Sequence, residues 1–391
     1  MSGETEHMRD SVALPTTEMS ALKDLERSLQ DRGHQEESIP VLTREKIRRD
    51  DGRVGFCAER NTVCALSVRY SELTAVSGSL GQLTNLQQLD LTGNQLSSLP
   101  ESLGNLINLE EVILDENQLT NLPESFWSLT NLQTLSLGKN QVSSLPESIG
   151  KLKNLVQLYL HSNQLTSLPE TIGNLTNLHT LDLSYNVFTS LPESLSNLRN
   201  LVFLYVSHAQ LTFLPYSLEA LRDLIYLNIS DNQLASLPEN IGNLTNLKEL
   251  RSSNNKLTTL PESLGNLAYL KELHLRGNQL VSLPESIGNL TSLKELSVYS
   301  NRLTSLPESL GNLVSLARVD LRNNQLTSLP ESIGNLRNLT HLDLRRNKLV
   351  SLPACIGDLR RLEKMDLRWN RFSSFPDWIQ QLEQRGCTVF K

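Results

Sequence analysis

Aromatic residues and cysteine are scarce in this chain. Only 5% of its 391 residues are Phe, Trp or Tyr, and its four cysteines are Cys57, Cys64, Cys355 and Cys387. Cysteines without the dense clustering of a disulfide-rich scaffold favour reduced thiols that pack as small apolar residues. A disulfide or a metal-binding role stays open, because Cys57 and Cys64 lie close together and the other two are both near the far end.

Long apolar runs are also missing. No segment approaches the roughly 18 apolar residues of a membrane span, and the polar N-terminus lacks the apolar core of a secretory signal. The formal net charge of −7 gives no general attraction to nucleic acid or to anionic membranes. We therefore expect a cytoplasmic protein that does not contact a membrane. A bacterial effector exported by a route that needs no such signal is the alternative.

The usual signatures of catalysis are missing as well. The sequence has no Gly-rich phosphate loop of the P-loop form, no paired-histidine zinc motif and no cysteine in a recognisable nucleophile context. The expectation is a protein that is not an enzyme and has no catalytic residues, no cofactor, no metal site and no small-molecule substrate.

The main feature of the sequence is a motif of 23 residues that is repeated along the chain. Its clearest copy runs from Leu270 to Ser292, and fourteen copies follow one another from Val63 to Gln384 without insertion or deletion. A fixed period of this length is typical of a solenoid, in which each repeat buries its apolar side chains only against its neighbours.

The motif predicts its own local structure. Leu273 and Leu275 are two residues apart, so they share one face of a short strand. Asn278 follows where the chain must turn, and stacked repeats would align such asparagines into a hydrogen-bonded ladder. Pro284 suits the first turn of a short helical segment, because a missing N–H costs nothing there. Ile287 would close the core from behind.

The pattern LxxLxLxxNxLxxLPxxIxxLxx resembles the leucine-rich repeat family. The Leu-Pro-Glu-Ser-Ile-Gly-Asn-Leu variant is similar to the cytoplasmic Ras-group and Scribble-like subclass and to the 23-residue repeats of prokaryotic proteins. The resemblance implies an α/β solenoid: a curved right-handed array with a parallel β-sheet on the concave face. Short helical or 3-10 segments would lie on the convex face.

The repeats divide the chain into four predicted parts. Residues 1–16 are a disordered tail, 17–62 an N-terminal cap, 63–384 the fourteen repeats and 385–391 a C-terminal edge strand. The cap would consist of a helix with an apolar stripe, followed by a β-hairpin strand around residues 59–61 that closes the edge of the sheet. A helix that binds a partner is the alternative to a capping helix. The stripe consists of Met19, Leu22, Leu25 and Leu29.

Function must come from the variable positions, because packing uses the repeated ones. The third, fifth, seventh and eighth positions of each repeat should point outward from the strands and form rows. An acidic N-terminal zone contains Asp90, Glu110, Glu111, Asp115 and Glu116. The candidate partner-binding residues are an aromatic group in the middle and a basic group towards the C-terminus: Tyr159, His161, Tyr185, Phe203, Tyr205, His208, Tyr226, Arg276, Tyr299, Arg322, Arg345, Arg346, Arg368 and Trp369.

Aromatic residues and arginine dominate protein interfaces. We therefore expect a protein–protein interaction scaffold or adaptor, with signalling as one setting, whose arginines engage acidic groups of the partner. A secreted bacterial effector or a regulatory subunit of an enzyme is the alternative. The alternative to partner binding is that the arginines only solubilise the sheet, with Asp320, Asp343 and Asp366 placed to neutralise them. Nucleic-acid binding through the arginines is disfavoured by these aspartates and by the acidic net charge.

Overall fold

The structure, a computed structural model, describes residues 13–32, 38–48 and 54–391. The chain forms two compact units, which divide between Val187 and Phe188. Most of the predicted tail, residues 1–12, lies outside the described residues.

The described residues of the N-terminal unit form two helices and a sheet. Strands β1 and β2 form an antiparallel hairpin, as predicted, and β2 to β7 pair in parallel in chain order. The helices are α1 (Thr16–Gln30) and α2 (Arg44–Arg48). The strands are β1 (Val54–Glu59), β2 (Thr62–Val68), β3 (Gln88–Asp90), β4 (Glu111–Ile113), β5 (Thr134–Ser136), β6 (Gln157–Tyr159) and β7 (Thr180–Asp182).

Helix α1 buries its predicted apolar stripe only in part. Leu22, Leu25 and Leu29 are buried, whereas Met19 is half-buried. The carboxylate of the buried Glu18 accepts a hydrogen bond of 2.8 Å from the backbone N–H of Val63, so the helix is tied to the first repeat. The helix begins at Thr16, one residue before the predicted start of the cap.

The C-terminal unit continues the same pattern. Its strands β8 to β16 all pair in parallel in chain order. They are β8 (Phe203–Tyr205), β9 (Tyr226–Asn228), β10 (Glu249–Arg251), β11 (Glu272–His274), β12 (Glu295–Ser297), β13 (Arg318–Asp320), β14 (His341–Asp343), β15 (Lys364–Asp366) and β16 (Thr388–Phe390). Helix α3 (Trp378–Gln384) precedes β16, which is the predicted final edge strand.

Short 3-10 segments follow the strands in both units. In the N-terminal unit they are Gly78–Gln82, Glu101–Asn105, Glu124–Ser128, Glu147–Lys151 and Glu170–Asn174. In the C-terminal unit they are Glu193–Asn197, Tyr216–Ala220, Ile241–Asn243, Glu262–Asn266, Glu285–Asn289, Glu308–Asn312, Glu331–Asn335 and Ala354–Asp358. The predicted α/β solenoid, with a parallel sheet and short 3-10 segments between its strands, is confirmed.

The repeat motif fills the core as predicted, with one correction. Leu273, Leu275 and Ile287 are fully buried. Pro284, however, is not in the first turn: it is extended, with ψ at 152°, and immediately precedes the 3-10 segment. Its carbonyl accepts from the N–H of Ile287 at 3.1 Å, so proline contributes its carbonyl and a fixed φ to the start of that segment.

The asparagine ladder is present. Asn278 is buried, and its Nδ2 donates to the carbonyls of Ser252 and Leu275 at 2.8 and 2.9 Å. Its Oδ1 accepts from the backbone N–H of Leu257 at 3.1 Å. Each such side chain therefore satisfies backbone groups of its own repeat and of the preceding one, which locks the register of adjacent repeats.

Candidate partner-binding surface

Parallel pairing places equivalent positions of successive repeats side by side. On β9, β10 and β11, Tyr226 pairs with Glu249 and Glu249 with Glu272. Neighbouring strands lie about 4.8 Å apart, so the side chains of one row are within contact distance. We call the surface formed by the third, fifth, seventh and eighth positions the strand face.

In the N-terminal unit, a groove of about 440 Å³ opens on the strand face beside the first repeats. The part of the acidic zone that lines this groove carries less net negative charge than the sequence predicts. Asp90 is buried and its Oδ2 lies 2.6 Å from Nε of Arg69, which is also buried. Arg69 further donates to the carbonyl of Ile47 at 2.7 Å. Asp90 therefore neutralises an internal cation instead of facing a partner.

Three predicted aromatic or histidine residues belong to the N-terminal unit. Tyr159 and His161 are half-buried, and Tyr185 is 56% exposed. Gly138, in the preceding repeat, makes room for the His161 ring, because a Cβ there would lie 2.4 Å from its Cε1 and 2.7 Å from Oδ1 of Asp115. Burial raises the pKa of the Asp115 carboxyl, against the hydrogen bond from Ser136.

The other four residues of the predicted aromatic group lie in the C-terminal unit. The rings of Tyr205 and Tyr226, on β8 and β9, pack with their centroids 4.9 Å apart. The guanidinium carbon of Arg251, on β10, lies 5.9 Å from the Tyr226 centroid. Phe203, which pairs with Tyr226, is 38% exposed, so an apolar edge of this group remains open to solvent. Nε2 of His208 lies 3.3 Å from the Asp231 carboxylate.

The predicted basic group is built from arginines stacked on aromatic rings. The guanidinium carbon of Arg322 lies 4.2 Å from the Tyr299 centroid, and Arg276 donates to the Tyr299 hydroxyl at 2.8 Å. Two further guanidinium carbons, of Arg346 and Arg368, lie 5.0 and 5.2 Å from the Trp369 ring, which is 59% exposed. Such stacking holds long side chains in place and leaves a ring edge and N–H donors for a partner.

Internal aspartates neutralise three of these arginines. The closest contacts join Arg322 to Asp320 at 3.2 Å, Arg345 to Asp343 at 2.6 Å and Arg368 to Asp366 at 2.6 Å. Arg345 also lies 3.3 Å from Asp366 of the next repeat. The aspartate row therefore neutralises the arginine row, as the alternative interpretation expected. This pairing weakens any purely electrostatic attraction of the arginines to an acidic partner.

The aspartates themselves are not equivalent. Burial raises the pKa of Asp320 to about 6, and the nearby Arg322 offsets this only in part. For Asp366 burial acts in the same direction, but the hydrogen bonds and charges of Arg368 and Arg345 outweigh it, so the pKa is lowered. Both carboxylates line an open groove of about 220 Å³ on the strand face.

Sequence reasoning missed several residues of this surface. Glu249 pairs with Tyr226 of the aromatic group and Arg251 approaches the same ring, while Glu272 and His274 lie beside them on the next strand. The sequence feature that could have revealed them is the row of third positions, where three successive repeats have Glu249, Glu272 and Glu295.

Known proteins share both the sequence pattern and the fold. The family described as Leucine-rich repeat region matches residues 215–320 and 304–384, and other leucine-rich repeat families match 85–106, 107–165 and 153–197. A leucine-rich repeat protein of Leptospira interrogans is 32% identical, with a TM-score of 0.71 over 94% of this chain and 99% of that one. The chain belongs to the leucine-rich repeat family.

Two other leucine-rich repeat structures are informative. An internalin, InlF, from Listeria monocytogenes is 26% identical, with a TM-score of 0.68 over 88% of this chain and 94% of that chain. The Arabidopsis receptor kinase HAESA, solved with the peptide hormone IDA and the co-receptor SERK1, is 26% identical, with a TM-score of 0.55 over 87% and 75% of the two chains. A search of curated proteins found no match. None of the helices in the described part of this chain is long and apolar enough to cross a membrane.

Proposed function

We propose that this leucine-rich repeat protein is a non-catalytic scaffold that binds a protein partner on its strand face. The observation that carries the proposal is the group Phe203, Tyr205 and Tyr226, in which two packed rings are flanked by an arginine and by a partly exposed phenylalanine. Rigid aromatic side chains beside arginine are the composition of interface hot spots. The HAESA complex, in which a related solenoid holds a peptide and a protein, supports the same use.

The stacked arginines extend this surface in the C-terminal unit. Because three of them are paired with aspartates, the partner would be recognised by aromatic contact and hydrogen bonds more than by net charge. Trp369 and Arg346 would form a second anchor, since the ring is largely exposed and the guanidinium lies over it.

The setting of the protein is also part of the proposal. We place it in the cytoplasm, in signalling, and in the subclass that includes Ras-group, Scribble-like and prokaryotic 23-residue repeats; the Leptospira match supports the prokaryotic part of that resemblance. Residues 17–62 would act as a cap and 63–384 as the repeat array. The tie between Glu18 and Val63 supports the capping role of α1.

The test is affinity capture with the full chain, followed by mass spectrometry, on matched variants. Tyr226→Ser and Phe203→Ser should each lose the specific partner. Tyr269→Ser and Tyr216→Ser remove aromatic rings that are more exposed but lie outside the strand face, and these variants should retain the partner. A partner retained by Tyr226→Ser, or lost equally from the control variants, would contradict binding by the strand face.

A further inference from the structure

Three side chains of metal-binding type converge beside the aromatic group. Glu249 on β10 and Glu272 and His274 on β11 each offer one ligand atom, and the three atoms all lie within 4.8 Å of one another. Nε2 of His274 is 3.2 Å from Oε2 of Glu272 and 3.9 Å from Oε1 of Glu249.

The repeat register produces this convergence. Glu249 pairs with Glu272, so the two carboxylates are adjacent members of the third-position row. His274 is two residues after Glu272 on the same strand and therefore points from the same face. Neither the strand spacing nor the two-residue offset depends on a loop, which makes the three Cα positions rigid.

The ligand atoms are spaced for a small divalent cation. Zinc binds imidazole nitrogen and carboxylate oxygen at about 2.0–2.2 Å, which in a tetrahedral site places two ligand atoms about 3.3–3.5 Å apart. The two separations from His274 fall on either side of this value, so small rotations of the glutamates would suffice. All three side chains are half-buried, so a hydrated ion can reach them.

The carboxylates around the three side chains favour a bound cation, but an arginine competes with a metal ion for one of them. Glu295 follows Glu272 in the same row and adds a third carboxylate nearby. Against this, Nε of Arg251 lies 2.5 Å from Oε1 of Glu249, where a metal ion would bind. Arg251 also approaches the Tyr226 ring, which gives the guanidinium a second position when a metal displaces it.

The described part of the chain holds one other triple with suitable ligand atoms, Cys57, Glu59 and Cys64. Its geometry is less favourable. Both cysteines are buried, Arg44 lies 3.5 Å from Glu59, and burial raises the pKa of Cys57 to about 11, which opposes the thiolate that a metal needs.

We propose that Glu249, Glu272 and His274 form a zinc-binding site on the strand face, with water as the fourth ligand. The site adjoins the proposed partner contacts, since Glu249 pairs with Tyr226, but it does not require a partner. Its open fourth position and partial exposure make it a site of reversible binding.

Calorimetric titration of the full chain with zinc chloride tests the site. We expect the binding event to weaken at least tenfold in His274→Gln and in Glu272→Gln, which keep the size of each side chain. His208→Gln is the matched control, because His208 has a carboxylate neighbour at 3.3 Å but is not part of such a triple within the described residues. That variant should titrate like the wild type, and the cysteine triple contributes equally to every trace.

The variant Arg251→Gln should change zinc affinity in the opposite direction from the two ligand variants. Removing the competing guanidinium should tighten zinc binding severalfold. The proposal is overturned if the wild-type chain shows no zinc binding, if His274→Gln binds as tightly as the wild type, or if Arg251→Gln binds no more tightly. A tenfold loss confined to the two ligand variants, with tighter binding by Arg251→Gln, would establish the site.

Discussion

Arg322 lies over the ring of Tyr299, with its guanidinium carbon 4.2 Å from the centroid, while Arg276 reaches the same tyrosine through its hydroxyl. One tyrosine therefore joins two arginines, one from the repeat before its own and one from the repeat after it, by two different interactions. The contact with Arg322 depends on the aromatic ring of Tyr299, and the contact with Arg276 depends on its hydroxyl oxygen.

These two contacts can be separated by substitution. In a double-mutant cycle, Arg322→Gln and Tyr299→Leu should couple by about 0.5–1 kcal/mol in the free energy of unfolding, the strength of an exposed cation–π contact. Arg322→Gln and Tyr299→Phe should show almost no coupling, because the ring remains. Equal coupling in both cycles, measured by urea denaturation, would show that the hydroxyl and not the ring face carries the interaction.

The asparagine ladder should contribute more stability than the other asparagines. Asn301 is buried, its Nδ2 donates to Leu275 and Val298 and its Oδ1 accepts from Leu280, so Asn301→Ala leaves buried groups unpaired. We expect a loss of about 2–4 kcal/mol, from one to three unsatisfied groups. The exposed Asn246 donates to one carbonyl, and Asn246→Ala should cost far less. Equal losses in denaturant unfolding would contradict the ladder's structural role.

Removing one member of the buried Arg69–Asp90 pair should destabilise the protein much more than removing both charges. Arg69→Met removes the partner of the buried Asp90 and should destabilise by about 3–5 kcal/mol. The double variant Arg69→Met/Asp90→Asn removes the stranded charge and should recover more than half of that loss. Lys139 and Glu116 also lie 2.6 Å apart but are exposed, so Lys139→Met serves as the control with a much smaller effect. A double variant no more stable than Arg69→Met would contradict the account.

Asp320 and Asp366 should respond to pH in opposite directions. The pKa of Asp320 is raised in the folded chain, so the folded state holds its proton more tightly and loses stability as pH rises from about 4 to about 6. Asp320→Asn should therefore raise stability at pH 7, by roughly 1–2 kcal/mol after allowance for partial exposure. The pKa of Asp366 is lowered, so its stabilisation exists above the usual carboxyl range and is lost below it.

The measurement is the free energy of unfolding between pH 3 and 8 for both variants. Asp366→Asn should be destabilised most at neutral pH, and its difference from the wild type should shrink in acid. Two aspartate variants that shift stability in the same direction at pH 7 would refute the assignment of opposite signs.

The four cysteines are free thiols and should differ in reactivity. Cys57, Cys64 and Cys387 are buried, whereas Cys355 is half-buried. A maleimide at neutral pH should label Cys355 first, and the other three only after unfolding, because burial blocks the reagent's access to their sulfur atoms. Intact-mass analysis distinguishes one label from four. Rapid labelling of all four in the native protein would show that the N-terminal hairpin or the last strand opens readily.

The repeat sequence by itself determined the fold. Leucines at fixed positions specify a short strand and a buried face, and Asn278 and its equivalents specify the turn, because apolar spacing and unpaired backbone groups act within one repeat and its neighbours. The same regularity predicted that Tyr226, Tyr299 and Trp369 would lie on the strand face. The position of Pro284 was off by one residue, since the period fixes the spacing but not the φ and ψ at which a 3-10 segment begins.

Only the tertiary structure decided which of these side chains meet. Arg345 pairs with Asp366 from the next repeat, Arg69 buries Asp90, and Glu249 comes within reach of His274. These pairings depend on burial and on side-chain rotation across neighbouring strands. The repeat determines neither, because its recurring positions constrain the core while the strand face varies from one repeat to the next.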